Sequence, residues 1–393
     1  MSHALIIGAG PAGLMAAEAL AQAGHRVEVA EAMPSPGRKF LMAGKSGLNL
    51  TKAEDFGAFT AAYACPEIAP MLEAFGPVEA QAWAEGLGQP LFTGTTGRVF
   101  PKAMKASPLL RAWLARLDGL GVTLRRRWRW TGWDGDAWCF ETPEGPQSLA
   151  PDVAVMACGG ASWARLGSDG AWAAHMPGQT APFQPANMGL RRVWSDHMQH
   201  YFGTPIKGIG LAAGDTHGRG EFVITANGLE GGGIYALSKT LRTGAPLILD
   251  LMPDLSVEDI RTRLSRPRGK ASLGTHIRKT LRLAPVKQAL LMELARPLPD
   301  DLAPLIKALP LNHDGPAPMD GAISTAGGLR WDALDAGLML RARAGTFAAG
   351  EMLDWEAPTG GYLITGCMAT GLWAGRAAAE YAAMAKPHGS VPN

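Results

Sequence analysis

Residues 1–31 read MSHALIIGAGPAGLMAAEALAQAGHRVEVAE, and this stretch decides the fold of the chain. Its hydrophobic pattern changes from a strand to a helix and back to a strand, with a glycine loop after the first strand. In order, the pieces are Ala4–Ile7, the loop Gly8–Gly13, the helical spacing of Ala17, Leu20 and Gly24, the strand residues Val27 and Val29, and Glu31. This order predicts a βαβ unit that binds a dinucleotide. An ordinary βαβ unit with a glycine-rich turn is the alternative, because the chain contains 50 glycines.

The glycines of the G-x-G-x-x-G loop have different mechanical roles. Gly8 permits a tight turn, Gly10 lets the backbone approach a pyrophosphate, and Gly13 lets helix and strand pack closely. Exposed N–H groups at the positive end of the following helix hold the diphosphate. The predicted contacts in this loop are Gly8, Gly10, Pro11, Ala12 and Gly13.

Glu31 ends the second strand at roughly the 20-residue distance from the last glycine at which an acid binds the ribose. Its carboxylate can accept two ribose hydroxyls there, and we expect the neighbouring Ala32 to contact the cofactor as well. The segment Pro34–Thr51 follows directly and should cross the bound cofactor. Basic residues among glycines favour a segment that binds the phosphates and the ring of the cofactor over a flexible surface loop. The predicted contacts are Arg38, Lys39 and Asn49.

Composition limits the classes of protein to which the chain can belong. Its 393 residues allow two domains, and its net charge of +2 gives no overall field to attract nucleic acid or a membrane. Charged residues make up only 18%, which tolerates a homo-oligomer without showing one. No signal peptide or membrane-spanning run is evident. The four cysteines form no C-x-x-C pair, so we expect neither a metal cluster nor a redox-active disulfide. We therefore expect the protein to be located in a reducing cytoplasm.

Arginine and tryptophan alternate within Val122–Trp130, a pattern that invites a nucleic-acid interpretation. Residue parity favours a half-buried strand with a solvated basic face instead, and Trp138–Thr142 is its predicted hairpin partner. Further along, the apolar Val153–Met156 leads into a glycine turn, which makes Gly159 a candidate contact.

From residue 186 to residue 328 the texture changes to short strands, glycine loops and basic helices, which predicts an inserted domain. Two glycine clusters inside it, Gly208–Gly210 and Gly231–Gly233, lack the spacing of a second nucleotide site. A dedicated NAD(P) domain is therefore not visible, so NAD(P)H is a possible donor only. The flanking parts, 1–185 and 329–393, form the predicted nucleotide-binding domain.

The end of the chain separates a flavoenzyme from a nicotinamide enzyme. Gly350-Glu351 follows a short buried strand and is similar to the element that flavoproteins place on the ribityl–pyrophosphate linkage. Gly360 precedes an Ala-rich helix, predicted from about Gly366 to Met384. Backbone N–H groups there suit the negative charge of a reduced flavin. The sequence therefore predicts FAD as the cofactor, with contacts at Gly350, Glu351, Gly361, Tyr362 and Leu363.

The chain resembles the BaiN/YhiN-like bacterial NAD(P)/FAD-dependent oxidoreductases. The segments that carry the resemblance span nearly the whole chain: Ile6–Gly13, Gly37–Thr51, Gly97–Pro101, Thr325–Gly328, Ala349–Asp354 and Thr359–Tyr362. The resemblance implies an α/β fold, with a Rossmann-like FAD-binding domain of glutathione-reductase type and a family-specific insert. It also implies FAD contacts at the glycine loop and at Glu31, Arg38-Lys39, Gly350-Glu351 and Gly361-Tyr362. Many relatives carry cysteine at Leu48 and asparagine at Leu363, which places this chain in a subgroup.

The leading hypothesis is a cytoplasmic FAD-dependent oxidoreductase that transfers hydride between the flavin and a small molecule. No catalytic base can be named, and Lys45, Arg98 and Tyr362 are candidates for lining the flavin face. One alternative is a flavin-dependent RNA-modifying enzyme, suggested by the basic residues within Arg261–Arg282, although a solvated helical face explains them better. Another is a redox sensor that uses bound FAD without catalysis.

Overall fold

A computed structural model describes residues 1–45 and 47–384, in two compact units. The first comprises Met1–Gln184 and the chain from Ser324 onward, and the second comprises Pro185–Ile323. The expected inserted domain, residues 186–328, ends a few residues later than this second unit, which ends at Ile323. Residues 324–329 instead form a strand that pairs with residues 180–186, and this strand belongs to the first unit.

The first unit is a mixed α/β domain. Its helices are α1 (Pro11–Gln22), α2 (Arg38–Ala43), α3 (Phe56–Ala61), α4 (Ala69–Ala74), α5 (Pro77–Gly86), α6 (Ala106–Gly119) and α13 (Tyr362–Met384). Its strands are β1 (His3–Ile7), β2 (Arg26–Glu31), β3 (Thr51–Lys52), β4 (Leu91–Thr93), β5 (Arg98–Pro101), β6 (Thr123–Arg126), β7 (Arg129–Asp134), β8 (Ala137–Thr142), β9 (Gly145–Leu149), β10 (Val153–Met156), β11 (Thr180–Ala186), β18 (Ser324–Leu329) and β19 (Thr346–Ala348).

A parallel five-stranded sheet forms the centre of this unit, in the order β19-β10-β1-β2-β6. The chain leaves β1 toward β2 on one side and returns to β10 on the other. The carboxyl end of β1 is therefore a topological switch point, where open α/β sheets bind their ligands. Ala4–Ile7 and Val153–Met156 are buried, as expected for parallel strands covered on both faces. The predicted Rossmann-type fold is confirmed.

Helix α13 packs against α1 and also contacts β10 and β19 of the parallel sheet. A Cβ at Gly371 would lie 2.3 Å from Ala12 O, and one at Gly375 would lie 2.8 Å from Ala16 Cα, so only glycine permits this approach. The helix begins at Tyr362, one turn before the predicted start at Gly366. Thr365 Oγ1 donates to Gly361 O (2.9 Å) in this first turn.

The predicted single strand Val122–Trp130 is wrong. Arg127 has a φ of 57° and breaks it into β6, which extends the parallel sheet, and β7, which belongs to a separate three-stranded sheet in the order β7-β8-β9. The predicted hairpin partner is confirmed, because β8 pairs antiparallel with β7. After the break, Trp128 and Trp130 line a cavity at the carboxyl ends of the parallel strands.

The second unit contains an antiparallel six-stranded sheet with its own hydrophobic core. Its strands are β12 (Leu190–Arg191), β13 (Pro205–Ala213), β14 (Thr216–Thr225), β15 (Gly228–Glu230), β16 (Leu247–Asp250) and β17 (Leu309–Leu311). Within the sheet they lie in the order β12-β15-β14-β13-β16-β17. Its helices are α7 (Gly232–Tyr235), α8 (Ser238–Arg242), α9 (Val257–Leu264), α10 (Leu273–Leu281), α11 (Pro285–Leu294) and α12 (Ala303–Lys307). Over the described part of the chain, no helix combines the length and apolarity that crossing a bilayer requires.

Candidate functional site

A cavity of about 190 Å³ lies at the carboxyl ends of β1, β2, β10 and β19, within the first unit. It contains most of the residues predicted to bind the cofactor, although they come from distant parts of the chain. These are Gly8, Gly10, Pro11, Ala12, Glu31, Ala32, Arg38, Lys39, Gly159, Gly350 and Glu351.

The glycine loop shows which of its glycines the protein itself requires. A Cβ at Gly8 would lie 2.4 Å from Ala157 O, and one at Gly13 would lie 1.9 Å from Gly8 O, so both positions are closed by neighbouring backbone. A Cβ at Gly10 would meet nothing within 4 Å. Gly10 directly precedes α1 with Pro11 as the first helical residue, so its open side borders the positive end of that helix.

Glu31 is buried at the edge of the cavity, and no arginine or lysine in the described part of the chain is hydrogen-bonded to its carboxylate. Its Oε2 accepts from the backbone N–H of Ala9 and its Oε1 from that of Met33, both at 2.8 Å. Burial raises the pKa of this carboxyl, and the two backbone hydrogen bonds offset the effect only in part. Because a carboxylate offers about four acceptor positions, two remain for donors from a ligand such as ribose hydroxyls.

Cationic side chains at the start of helix α2 also line the cavity. Lys39 Nζ donates to Glu351 Oε2 (2.7 Å) and to Ser162 Oγ (2.9 Å), which joins helix α2 to the segment after β19. The backbone N–H of Thr325 donates to the other Glu351 oxygen at 3.1 Å. Arg38 Nε is buried without a partner among the described residues, so a cation there is available to an anion.

Five predicted contacts do not line this cavity: Gly13, Asn49, Gly361, Tyr362 and Leu363. Gly13 packs α1 against β1, as its expected role required. A Cβ at Gly361 would lie 2.3 Å from Thr51 C, so this glycine permits β3 to pass the start of α13. Asn49 Oδ1 is buried without a partner among the described residues.

The Tyr362 hydroxyl belongs to a polar cluster outside the cavity. It donates to Glu54 Oε1 (2.6 Å) and accepts from Lys52 Nζ (2.9 Å), while Phe59 stacks on its ring. Burial, followed by the hydrogen bond to Glu54, raises the pKa of this phenol. The other flavin-face candidates, Arg98 and Lys45, are exposed. Ser46, within the segment Gly37–Thr51 that carries the family resemblance, lies outside the described residues.

The cavity also contains residues that sequence reasoning missed. Cys158 and Cys367 line it, and burial raises the pKa of each thiol to about 12, so both are neutral thiols at physiological pH. The alternation of residues in Val122–Trp130 indicates a strand and does not indicate a binding site. The segment after Gly159 has no sequence pattern that indicates one. The remaining missed residues include Trp128, Arg129, Trp130, Leu166, Gly167, Ser168, Asp169, Trp172 and His175.

The residues present fit the diphosphate and ribose of an FAD molecule. The protein's own packing explains neither the missing side chain at Gly10 nor the spare acceptor capacity of Glu31 nor the unpartnered Arg38 Nε. A diphosphate beside Gly10 and Arg38, with its ribose on Glu31, would satisfy all three.

Comparisons with known proteins agree with this fold. The 3-dehydro-bile acid delta(4,6)-reductase of Clostridium scindens is 28% identical over 419 residues, an alignment covering 97% of this chain and 100% of the relative. The E. coli quinol fumarate reductase subunit FrdA is similar in structure with a TM-score of 0.53 and 18% identity, covering 99% of this chain and 72% of that one.

A second solved structure covers both chains almost completely. The 3-ketosteroid-delta4-(5alpha)-dehydrogenase of Rhodococcus jostii RHA1, in complex with 4-androstene-3,17-dione, has a TM-score of 0.52 and 16% identity over 97% of each chain. At such identities these two likenesses concern the fold. The model of the family described as "HI0933-like protein Rossmann domain" matches residues 2–377, which is nearly the entire chain. The chain therefore belongs to the HI0933-like Rossmann family.

Proposed function

We propose that this protein transfers hydride between bound FAD and a small organic molecule, with NAD(P)H as a possible donor. It is an FAD-dependent oxidoreductase. The observation that carries the proposal is the cavity at the switch point, where a bound dinucleotide meets the requirements of Gly10, Glu31 and Arg38. The predicted contacts at Asn49, Gly361, Tyr362 and Leu363 remain part of the proposal, for the flavin half of the molecule.

Bound FAD supplies the two-electron chemistry, and the protein supplies binding, orientation and electrostatics. The backbone N–H groups of Gly10 and Ala12 would bind the diphosphate, with the positive end of α1 behind them. Glu31 orients the ribose. The ion pair of Lys39 with Glu351 holds the segment after β19 in place at the cavity. The neutral thiols of Cys158 and Cys367 add no charge beside the cofactor.

For the substrate we propose a ring ketone conjugated to a carbon–carbon double bond. Support comes from the curated relative, whose name describes reduction of a dehydrogenated bile acid, and which aligns along its whole length. The steroid dehydrogenase with the same fold binds 4-androstene-3,17-dione, a ketone of this type. A location in the cytoplasm stays a prediction.

Anaerobic flavin spectroscopy tests this proposal. The purified protein should carry yellow FAD, lose its visible absorbance on addition of NADH or NADPH, and regain it when a conjugated steroid ketone is added. Saturated ketones of the same ring system are the matched control and should leave the flavin reduced. Protein that remains colourless after addition of FAD contradicts the cofactor, whereas reduction without reoxidation by any ketone contradicts only the substrate.

The two alternatives make different predictions. Of the basic residues in Arg261–Arg282, Arg261 is bound to Glu258 and Asp301, as expected of a solvated helical face. A gel shift with RNA at physiological salt tests the RNA-modifying alternative, and absence of binding removes it. Sustained turnover with NAD(P)H and an acceptor removes the sensor.

A further inference from the structure

Besides Arg38 Nε, two buried polar groups that line the cavity have no partner among the described residues, and neither belongs to a recognised motif. The Ser168 side chain is only 5% exposed, and its hydroxyl bonds to nothing among the described residues. Trp130 Nε1 is likewise buried and unpartnered within the described chain. Both residues line the cavity. Because an unmade buried hydrogen bond is costly, such groups are expected where a ligand completes them.

The local backbone brings Ser168 beside the ribose acid. A Cβ at Gly167 would lie 2.8 Å from Met33 Cγ and 3.9 Å from a Glu31 oxygen, so the loop passes close to that carboxylate. A Cβ at Gly159 would lie 3.1 Å from Ser168 Oγ. The hydroxyl is therefore held between the glycine turn after β10 and the end of β2.

Trp130 lies on β7, and the residue before it, Arg129, pairs with Asp169, the residue after Ser168. The Trp130 ring packs against His175 at a centroid distance of 4.7 Å and against Trp133 at 4.8 Å. A Cβ at Gly132 would lie 2.9 Å from the His175 ring, so this glycine makes room for the histidine. Trp128 also lines the cavity, which gives this end flat aromatic walls.

The chemistry of this end matches a purine nucleoside. Ser168 and Trp130 offer two donors, Glu31 offers acceptors for hydroxyls, and the aromatic side chains offer apolar surface. A purine presents ring nitrogen acceptors and a flat face, and a ribose presents hydroxyls. A flavin mononucleotide has no group to place there.

We infer that Ser168 and Trp130 are specificity-determining residues that bind the adenosine half of the dinucleotide, an inference that rests on the proposed function. They hold FAD at the end opposite the reacting ring. Because both groups are unpartnered without a ligand, they serve binding at a cost to the stability of the empty fold.

The test measures FAD release from the holoenzyme by flavin fluorescence, on dilution and on competition with ADP. Ser168→Ala and Trp130→Phe should each weaken binding of FAD and of ADP by the same factor, about fivefold to tenfold. Trp133→Phe is the matched control: Trp133 Nε1 is also buried without a partner in the described chain, but Trp133 does not line the cavity. It should leave both affinities unchanged.

Thermal unfolding of FAD-depleted protein separates a binding role from a structural one. Ser168→Ala should unfold at the wild-type temperature or above it, because the variant no longer buries an unsatisfied hydroxyl. Lost stability together with unchanged ADP affinity would overturn the inference. So would a loss of FAD affinity that ADP does not share. Failure of the wild-type protein to bind any FAD would instead overturn the proposed function.

Discussion

Two sets of residues within residues 1–31 differ in where their contacts and hydrogen bonds are made. The first set, which we call the packing face, comprises Gly13, Glu18 and Glu28, whose contacts all lie inside the protein. Glu18 accepts from Trp113 Nε1 and an Arg116 nitrogen, and Glu28 from two arginines. The cavity face comprises Gly10 and Glu31, whose requirements the protein leaves partly unmet.

The pKa values of the two strand acids express this difference. Burial alone raises the pKa of Glu28, but hydrogen bonds from Arg125 and Arg26 outweigh that effect and leave the pKa lowered. Burial also raises the pKa of Glu31, and two backbone N–H groups do not reverse it. Two acids three residues apart on β2 therefore differ because one has cationic partners in the protein and the other faces a ligand site.

The glycines provide the largest expected contrast. Gly10→Val should weaken FAD binding by at least about 100-fold, because the side chain would occupy the space predicted for the diphosphate. It should cost little stability, since a Cβ there meets nothing within 4 Å. FAD titration and thermal unfolding measure the two effects.

Gly13→Ala is the matched variant on the packing face. Its Cβ would lie 1.9 Å from Gly8 O, so it should destabilise the fold by about 1–3 kcal/mol. Equal loss of stability in both variants would break the distinction between the faces.

The strand acids give the next effect. Glu31→Gln should weaken FAD binding by about 10-fold to 100-fold, because hydrogen bonds to a charged acceptor are lost. Glu28→Gln should leave FAD affinity unchanged and lower the free energy of unfolding, because Arg125 and Arg26 lose their buried acceptor. The same titration and unfolding measurements apply, and FAD loss in Glu28→Gln would count against the comparison.

The ion pair across the cavity should have a smaller influence. Lys39→Met removes the bond to Glu351 and should weaken FAD binding by about fivefold to tenfold. Lys307→Met is the control, since it breaks an equally short pair with Asp250 in the second unit. An equal loss of affinity in the two variants would show that the effect is not local to the cavity.

The smallest expected effect is on the pH dependence of stability, measured by denaturant unfolding of FAD-depleted protein. The raised pKa of Glu31 gives stability that is present below the ordinary carboxyl value and lost as pH rises through the folded-state pKa. The lowered pKa of Glu28 gives stability that is present above the ordinary value and lost as pH falls. Glu31→Gln and Glu28→Gln should therefore change the acid slope of the unfolding free energy in opposite directions.

The sequence predicts the part of the site that depends on local spacing. Gly8, Gly10 and Glu31 belong to one βαβ unit, so their positions and roles follow from one continuous sequence pattern. Glu351 was also predicted, because a short strand followed by Gly-Glu is itself a local signal.

Trp130 and Ser168 could not be predicted in this way. Trp130 reaches the cavity because Arg127 breaks the chain direction, and nothing in the alternation of arginine and tryptophan reveals that break. Ser168 lies in an irregular segment after Gly159 whose position depends on tertiary packing. Helix α13 begins at Tyr362, one turn earlier than predicted, and Thr365 Oγ1 donates to Gly361 O in this additional turn.

A crystal structure of the protein with FAD tests the central claim most directly. We expect the diphosphate within hydrogen-bond distance of the backbone N–H groups of Gly10 and Ala12, and the adenosine ribose hydroxyls on the Glu31 carboxylate. FAD bound elsewhere, with the Glu31 carboxylate still bonded only to Ala9 and Met33, would contradict the account.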